Sequence, residues 1–220
     1  MNSKKCFVIT GASSGLGKAL KDFLISETHH FVVSLSRKDE PKDISTERIW
    51  FSYCDLASLD NTDVIKDICN TYQDEEIIYI NNAATILPLC EVGCFKDDEL
   101  SAYFKINVEA PVRIINELVA LKKKGLTVLN ISSGAAKRAI SHWSLYCSAK
   151  AAVNMFCDVL AIDHPGVIVR NIDPGVINTR MQSQIRESNI PDLQIFADLS
   201  GNDQLKEPID AAREILIDFV

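Results

Sequence analysis

Short apolar runs alternate with helical patterns along the chain, and this alternation constrains the fold more than any other feature. Runs such as Lys5–Thr10 and Val128–Ile131 are almost continuously apolar, as expected for strands that are covered on both faces. Strands separated by helices form parallel sheets, and right-handed crossovers place helices on both sides. The pattern therefore predicts an α/β fold with a doubly wound parallel sheet of six or seven strands.

The predicted elements cover most of the chain. Strands are predicted at 5–10, 31–36, 49–53, 77–81, 126–132 and 167–172. Helices are predicted at 15–26, near 60–72, across 97–123 with an interruption near Pro111, at 145–163 and at 208–219. No repeat or linker separates these elements in the sequence, so we expect one domain over residues 1–220. The segment 178–207 has the weakest pattern, and its length favours a substrate lid or binding loop.

Composition narrows the function classes. The chain has 220 residues, 47% hydrophobic and 24% charged, with a net charge of −7. Its one basic run, Lys122–Lys124, is typical of a solvated helix end, so a nucleic-acid partner is not indicated. No apolar run approaches the roughly 20 residues of a membrane span, and no secretory segment precedes the first strand. Seven scattered cysteines favour a reducing cytoplasm, and Cys90 and Cys94 lack partners at zinc spacing.

A glycine-rich loop joins the first predicted strand to the first helix. It reads Thr10-Gly11-Ala12-Ser13-Ser14-Gly15-Leu16-Gly17, with the spacing G-x-x-x-G-x-G. Glycines permit a tight turn, and the following helix N-terminus offers amide donors to a pyrophosphate. The flanking strand and helix favour a dinucleotide-binding Rossmann fold over a plain turn. The residues expected to hold the dinucleotide here are Gly11, Ser13, Ser14, Gly15, Leu16 and Gly17.

The end of the second strand predicts which nicotinamide cofactor is bound. NAD-binding proteins place an acidic residue there for the ribose 2′-hydroxyl. This chain has Ser36-Arg37-Lys38, and its first acidic residue, Asp39, lies beyond the strand. Because a guanidinium can grip a 2′-phosphate with two hydrogen bonds, we expect NADP(H) at Ser36 and Arg37, with NAD(H) as the less favoured cofactor. The alternative is that Arg37 and Lys38 are solvated turn residues.

Tyr146 and Lys150 lie four residues apart at the start of a predicted helix. Residues at this spacing share one helix face. A nearby ammonium favours the phenolate and lowers a tyrosine pKa, so the pair predicts an acid or base that works near neutral pH.

Four motifs together resemble those of the short-chain dehydrogenases/reductases. They are the glycine loop, Asn81-Asn82-Ala83-Ala84, Ser132-Ser133 and the Tyr146/Lys150 pair. The resemblance runs from Lys5 to about Thr179. Within the family, the stretches Trp143–Ala152 and Pro174–Thr179 are similar to the sepiapterin reductase and benzil reductase branch.

The resemblance implies four catalytic roles. Tyr146 matches the acid that protonates the carbonyl oxygen, and Lys150 matches the residue that lowers the tyrosine pKa and bonds the nicotinamide ribose. Ser133, thirteen residues before the tyrosine, matches the hydroxyl that holds the carbonyl oxygen; Ser132 is expected to bond the backbone. Asn107 matches the asparagine whose backbone carbonyl holds a water beside the lysine.

The resemblance also implies cofactor contacts outside the glycine loop. Asp55 and Leu56 match the segment at the adenine ring, and Asn82 and Ala83 match the adenosine side. Ala84 stands where many relatives have glycine, and its extra methyl should be tolerated. The contacts implied at the nicotinamide and a nearby phosphate come from Pro174, Gly175, Val176 and Thr179.

Several residues near these motifs have two interpretations. Trp143 fits either packing or a substrate wall, and Cys147 fits either a small core residue or a redox-sensitive thiol. An apolar lid and ordinary surface packing are equally consistent with Met181, Ile185, Ile190, Leu193, Ile195 and Phe196. Relatives commonly continue into a seventh parallel strand, which is expected here to be absent or reduced to Ile217–Val220. Its loss would expose the sheet edge, soften the substrate pocket or alter the oligomer.

The sequence therefore predicts a cytoplasmic, NADPH-dependent reductase of a small, partly apolar ketone or aldehyde, with no metal. Alternatives within the family are a pterin carbonyl reductase of the sepiapterin type and a diketone reductase of the benzil type. A rival from another class is a non-catalytic NADP-binding regulator. The family also implies a homodimer or homotetramer, joined through helices near 107–123 and 145–163.

Overall fold

A computed structural model of the chain describes residues 4–38, 47–58, 62–122, 125–188, 190 and 205–220. The strands are β1 (Lys5–Thr10), β2 (Phe31–Ser36), β3 (Ile49–Tyr53), β4 (Glu76–Asn81), β5 (Leu126–Ile131) and β6 (Ile168–Ile172). The α-helices are α1 (Gly15–Glu27), α2 (Thr62–Thr71), α3 (Asp97–Phe104), α4 (Ala110–Leu121), α5 (Ser144–Asp163), α6 (Arg180–Glu187) and α7 (Pro208–Leu216).

The six strands form one parallel sheet in the order β3-β2-β1-β4-β5-β6. The chain reverses its direction of travel across the sheet between β1 and β4, which are neighbours. In doubly wound sheets a crevice opens outside the carboxyl ends of the strands at such a switch point. The glycine loop follows β1 and Asn82–Ala84 follows β4, so both motifs lie at this crevice. The predicted Rossmann-type α/β fold is confirmed.

Each face of the sheet has its own apolar core, which explains the continuously apolar strands. On one face, α2, α4 and α5 contribute side chains such as Ile68, Ile115 and Val153. On the other, α1 and α7 contribute side chains such as Leu20 and Ile215. Burial from both sides covers β1, β2, β4 and β5 except for the partly exposed first residues of β1, β2 and β4.

The predicted interruption of the long helix near Pro111 is a π-helical segment, Lys105–Glu109, between α3 and α4. Proline has no N–H and its ring crowds the carbonyl four residues earlier, which is that of Asn107. The wider turn of the π-segment accommodates this crowding, and such single-turn segments recur at functional sites. The predicted end of this helix, Lys123, lies outside the described residues.

Helix α5 has the length and the mean hydropathy, 1.4, of a possible membrane span by those two criteria alone. This differs from the expectation that no such run exists. The core helix of a globular domain meets the same criteria. Here 39% of the span is buried inside the protein, and the buried side chains include Lys150 and Cys157.

The weakly patterned segment 178–207 begins with a helix that the sequence did not predict. In α6, Gln182 and Ile185 are buried. A parallel bridge joins Ile177 to Lys206, so the two ends of the segment lie side by side. Of the apolar residues considered for a lid, Leu193, Ile195 and Phe196 lie outside the described part of the chain.

The described residues contain no seventh strand, and Ile217–Val220 forms a turn after α7. Phe219 packs against the core shared by α1 and α7. Its carbonyl accepts a hydrogen bond from Lys5 Nζ at 3.1 Å, so this turn is tied to the start of β1.

Candidate active site

A single cavity of about 920 Å³ runs from the glycine loop to Tyr146 along the carboxyl ends of the strands. This volume is at the upper end of the range of small-molecule and cofactor sites. Its walls come from the segments that follow each of the six strands, together with α5 and α6. The fold therefore joins the two halves of the predicted site in one space.

The glycine loop packs closely against the residues after β4. Gly11 has φ +69°, and a Cβ there would lie 3.0 Å from the Ala83 Cα. A Cβ on Gly17 would lie 2.4 Å from both the Gly11 oxygen and Asn82 Nδ2. Asn82 in turn donates from Nδ2 to the Thr10 carbonyl at 2.9 Å, which holds the loop against β4. The glycines are thus required by the backbone conformation and by the lack of space.

The geometry of the loop fits a phosphate group. Ser14 is the N-cap of α1 in extended conformation, and its side chain makes no capping hydrogen bond. The first-turn amides of α1 therefore have no side-chain acceptor from the cap, and they carry the positive end of the helix dipole. Thr179 precedes α6 in the same way and also faces the cavity.

The end of β2 forms the far wall of the cavity. Ser36 is buried, while Arg37 and Lys38 are exposed beside it and line the same space. The Ser36 hydroxyl donates to the Lys38 carbonyl at 3.0 Å, which orders the turn that carries both cations. Asp55, which follows the neighbouring strand β3, lines the same cavity, and Asp39 lies outside the described residues.

Tyr146 sits at the near end of the cavity with only 7% of its surface exposed. Its ring meets Trp143 edge to face at 5.6 Å. Burial raises the pKa of Tyr146 to about 12, the Ser133 hydroxyl acts against that rise through a hydrogen bond, and Asp173 adds to it. The pKa is therefore not lowered as the Tyr/Lys spacing predicted, because burial outweighs the neighbouring groups.

Lys150 is buried on the same face of α5. Its Nζ donates to the Ile131 carbonyl at 2.7 Å and lies 5.7 Å from the centroid of the Tyr146 ring. Burial lowers the pKa of Lys150 to about 8. The lysine thus remains cationic at neutral pH, and it stands above the ring of the tyrosine without a hydrogen bond to its hydroxyl.

Asn107 lies behind the cavity within the π-helical segment. Its Oδ1 accepts from the Thr85 amide at 3.0 Å, and its Nδ2 donates to the Tyr103 carbonyl at 3.1 Å. These bonds connect the π-segment to the loop after β4, which lines the cavity. The side chain therefore serves the local backbone, leaving only the main-chain carbonyl for the role that the resemblance implies.

The structure gathers most of the predicted site residues around one cavity. Those that line it are Gly11, Ser13, Ser14, Gly15, Leu16, Ser36, Arg37, Asp55, Leu56, Asn82, Ala83, Ala84, Ser133, Tyr146, Lys150, Pro174, Gly175, Val176 and Thr179. Among the described residues, Gly17 and Asn107 are the two predicted positions that do not line it. Both lie outside the cavity and support its wall. Gly17 packs closely against Gly11 and Asn82, and Asn107 bonds the loop after β4.

Sequence reasoning missed part of the wall around Tyr146. Ile86, from the loop after β4, packs with Trp143, Tyr146 and Ile185 in an apolar cluster. Arg138 and Asp173 add two charges to the same space. Asp173 directly follows β6, and residues at the carboxyl ends of parallel strands are the signal that would have found it.

Comparison with known proteins agrees with this geometry. The profile of the family described as short chain dehydrogenase matches residues 5–190. The chain therefore belongs to the short-chain dehydrogenase/reductase family, whose members bind nicotinamide cofactors, and it is an oxidoreductase of that family.

Several relatives are similar over most of their length. A benzil reductase ((S)-benzoin forming) from Bacillus subtilis is 32% identical, covering 92% of this chain and 88% of the relative. A sepiapterin reductase from Bos taurus is 31% identical, covering 85% and 78%. Among solved structures, the KRED1-Pglu enzyme superposes with a TM-score of 0.86 at 28% identity, covering 95% of this chain and 92% of that one.

Proposed function

We propose that this protein is a cytoplasmic, NADPH-dependent reductase that converts a small ketone or aldehyde to an alcohol, with Tyr146 as the proton donor. The observation that carries the proposal is the continuity of the cavity. One space connects the amides at the start of α1 to the hydroxyls of Ser133 and Tyr146. A dinucleotide bound along it would reach from the phosphate loop to the tyrosine.

The protonation states favour reduction. With its pKa raised to about 12, Tyr146 is a neutral phenol at physiological pH and can donate its proton to a carbonyl oxygen. The Ser133 hydroxyl would hold the same oxygen and stabilise the negative charge that develops on it. Lys150, cationic below about pH 8, stabilises the phenolate that remains after proton transfer.

When bound, the nicotinamide supplies the hydride. The protein would bind the dinucleotide, orient the substrate and protonate the carbonyl oxygen. The α1 amides would hold the pyrophosphate, Lys150 would reach the nicotinamide ribose, and the turn at Pro174–Thr179 would support the nicotinamide end. Burial of the tyrosine excludes water from the point of proton transfer, which strengthens the electrostatic interactions there.

The side chains at the end of β2 support a preference for NADPH. Arg37 and Lys38 offer two exposed cations beside Ser36 at the cavity wall. We expect Arg37→Ala to raise the KM for NADPH by about tenfold or more while leaving the KM for NADH within about twofold, because a lost charged hydrogen bond costs roughly 1.5–3 kcal/mol. Initial rates with both cofactors measure this. A clear preference of the unaltered protein for NADH would contradict the cofactor assignment.

The apolar wall of Ile86, Trp143 and Ile185 favours an aromatic or apolar carbonyl substrate. An aromatic diketone such as benzil and the carbonyl side chain of a pterin both have this character. A panel of ketones and aldehydes, followed by the loss of NADPH absorbance, tests the proposal. Turnover of several apolar carbonyls is the expected result, and binding of NADPH without any turnover would favour a regulator.

A further inference from the structure

Two side chains of opposite charge stand in the cavity beside the proposed reaction centre. Arg138 belongs to the loop between β5 and α5, and Asp173 follows β6. Both line the cavity that contains Tyr146 and Ser133. The Asp173 carboxylate is close enough to Tyr146 to oppose ionisation of its hydroxyl. These charges therefore face the region in which a substrate carbonyl would lie.

The side chains of Arg138 and Asp173 both approach Gly134. A Cβ placed on Gly134 would lie 3.3 Å from Asp173 Oδ2 and 3.7 Å from both Nε and Nη2 of Arg138. Gly134 directly follows Ser133, so their Cα atoms are about 3.8 Å apart. The absent side chain of Gly134 thus leaves space between a carboxylate and a guanidinium, one residue away from the proposed carbonyl-binding hydroxyl.

The two groups are near each other without forming an ion pair. From the distances to Gly134, Asp173 Oδ2 and Arg138 Nη2 are separated by no more than about 7 Å. Among the residues described, no contact within 4.0 Å joins their charged atoms. One oxygen that bonds both groups at an ordinary distance of about 2.9 Å requires a separation of roughly 4–6 Å. The separation, above 4.0 Å and no more than about 7 Å, includes the range that a bridging polar atom requires.

Asp173 has one oxygen already engaged. Its Oδ1 accepts from the Gly175 amide at 3.1 Å, which fixes the carboxylate orientation at the turn after β6. The second oxygen, Oδ2, is the atom directed at Gly134. The guanidinium offers only donors and the carboxylate only acceptors, so a bridging group must both accept and donate. A hydroxyl does this with one atom.

We propose that Arg138 and Asp173 form a specificity subsite that binds a hydroxyl group on the carbon next to the reactive carbonyl. The hydroxyl oxygen would accept from Arg138 and its proton would bond Asp173 Oδ2. The preferred substrates are then α-hydroxy ketones, with the hydroxyl over Gly134, the carbonyl at Ser133 and Tyr146, and the apolar remainder against Trp143. This inference rests on the proposed reductase function and specifies its substrate class.

The test compares two ketones of nearly equal shape, 2-hydroxyacetophenone and propiophenone, which differ by a hydroxyl in place of a methyl. The measured quantity is the ratio of their kcat/KM values with NADPH. We expect Arg138→Met and Asp173→Asn each to lower this ratio about tenfold or more, because each removes a hydrogen bond to a charged group. Asparagine retains Oδ1 for Gly175. Using a ratio cancels general effects of either variant on the reactivity of Tyr146.

Lys137→Met is the matched control. It removes an exposed cation next to Arg138 that does not line the cavity, and it should leave the ratio within about twofold of the unaltered value. Dissociation constants of both ketones, measured by calorimetry with NADPH present in the Tyr146→Phe background, give a second readout without turnover. The same selective loss of hydroxy ketone affinity is expected there in Arg138→Met and Asp173→Asn.

The outcomes separate the two proposals. Turnover of both ketones at a ratio that is equal in all four proteins would overturn the subsite and leave the reductase function standing. Absence of turnover across the whole carbonyl panel would refute the reductase function. In that case the dissociation constants decide. If Arg138→Met and Asp173→Asn leave the ratio of the affinities for the two ketones unchanged, the subsite is overturned. If they weaken only the binding of the hydroxy ketone, the subsite stands as a binding site.

Discussion

Lys122 and Lys150 are both buried, and their surroundings predict opposite effects of the two lysines on stability. Lys150 makes one hydrogen bond, to Ile131, and burial lowers its pKa to about 8. Lys122 donates to three carbonyls, those of Tyr72, Gln73 and Glu75, at 3.1, 2.8 and 2.7 Å. Lys150 is therefore a buried charge with few hydrogen bonds, at the proposed active site. Lys122 holds the segment between α2 and β4 in place through its three hydrogen bonds.

Replacement of Lys150 by Met should therefore stabilise the protein while abolishing activity. The folded pKa, about 8, lies below the unfolded 10.5, so below pH 8 the folded state carries the full cost of the buried charge. Between these values the unfolded state binds more protons and the free energy of unfolding rises with pH. Allowing for the lost hydrogen bond, we expect Lys150→Met to gain about 1–2 kcal/mol at pH 7. Denaturant melts from pH 7 to 10 should show this gain shrinking.

Lys122→Met is the control for that prediction. It also replaces a buried ammonium by an apolar side chain, but it leaves three carbonyls without their donor. We expect a loss of about 2–4 kcal/mol. If both variants destabilise the protein equally at pH 7, the assigned difference between the two lysines is wrong.

At the scale of elements, apolar runs predicted the sheet closely because both faces of its central strands are buried. Helix α6 was missed because its sequence, RMQSQIRE, is mostly polar and only Gln182 and Ile185 are buried. The π-helical segment follows from the position of Pro111 relative to Asn107, which predicts an interruption but not its form. The approach of Arg138 to Asp173 depends on the pairing of β5 with β6, which residue spacing alone does not give.

The packing of the glycine loop leads to a prediction about Gly17. In Gly17→Ala the new methyl would meet the Gly11 carbonyl at 2.4 Å, so the loop or the start of α1 must move. We expect at least about tenfold weaker NADPH binding, together with lower stability. Fluorescence titration with NADPH measures the first and thermal melts the second.

Gly166→Ala provides the comparison. A Cβ at Gly166 has no atom within 4 Å, so this variant makes the same chemical change without a clash. Its NADPH affinity should equal that of the unaltered protein. Equal affinity in both variants would show that the loop tolerates the methyl and that close packing at Gly17 does not hold the binding conformation.

An exposed apolar stripe on α5 is consistent with the homo-oligomer that the resemblance implies. Met155, Val159 and Ile162 are 63%, 45% and 76% exposed, and their spacing places them on one helix face. Leu121, at the end of α4, is 43% exposed. Exposed apolar side chains grouped in this way favour an interaction site, and they lie on the two helices, at 107–123 and 145–163, through which the resemblance predicts a homo-oligomer.

We expect the protein to sediment as a dimer or tetramer and Met155→Lys to shift it toward smaller species. A charge in the middle of an apolar contact is costly to bury. Ile217→Lys, at a position 73% exposed on the turn after α7, should leave the sedimentation coefficient unchanged. A monomer at micromolar concentration would contradict the oligomer.

Proton donation by Tyr146 to a substrate carbonyl is tested by the variant Tyr146→Phe. Tyr103→Phe is the matched control: this buried tyrosine is 2% exposed and does not line the cavity. With a carbonyl substrate found by the panel, we expect Tyr146→Phe to lower kcat by about 10²–10⁴-fold with NADPH affinity nearly unchanged, and Tyr103→Phe to keep kcat within about threefold. Retention of full activity by Tyr146→Phe would contradict the mechanism.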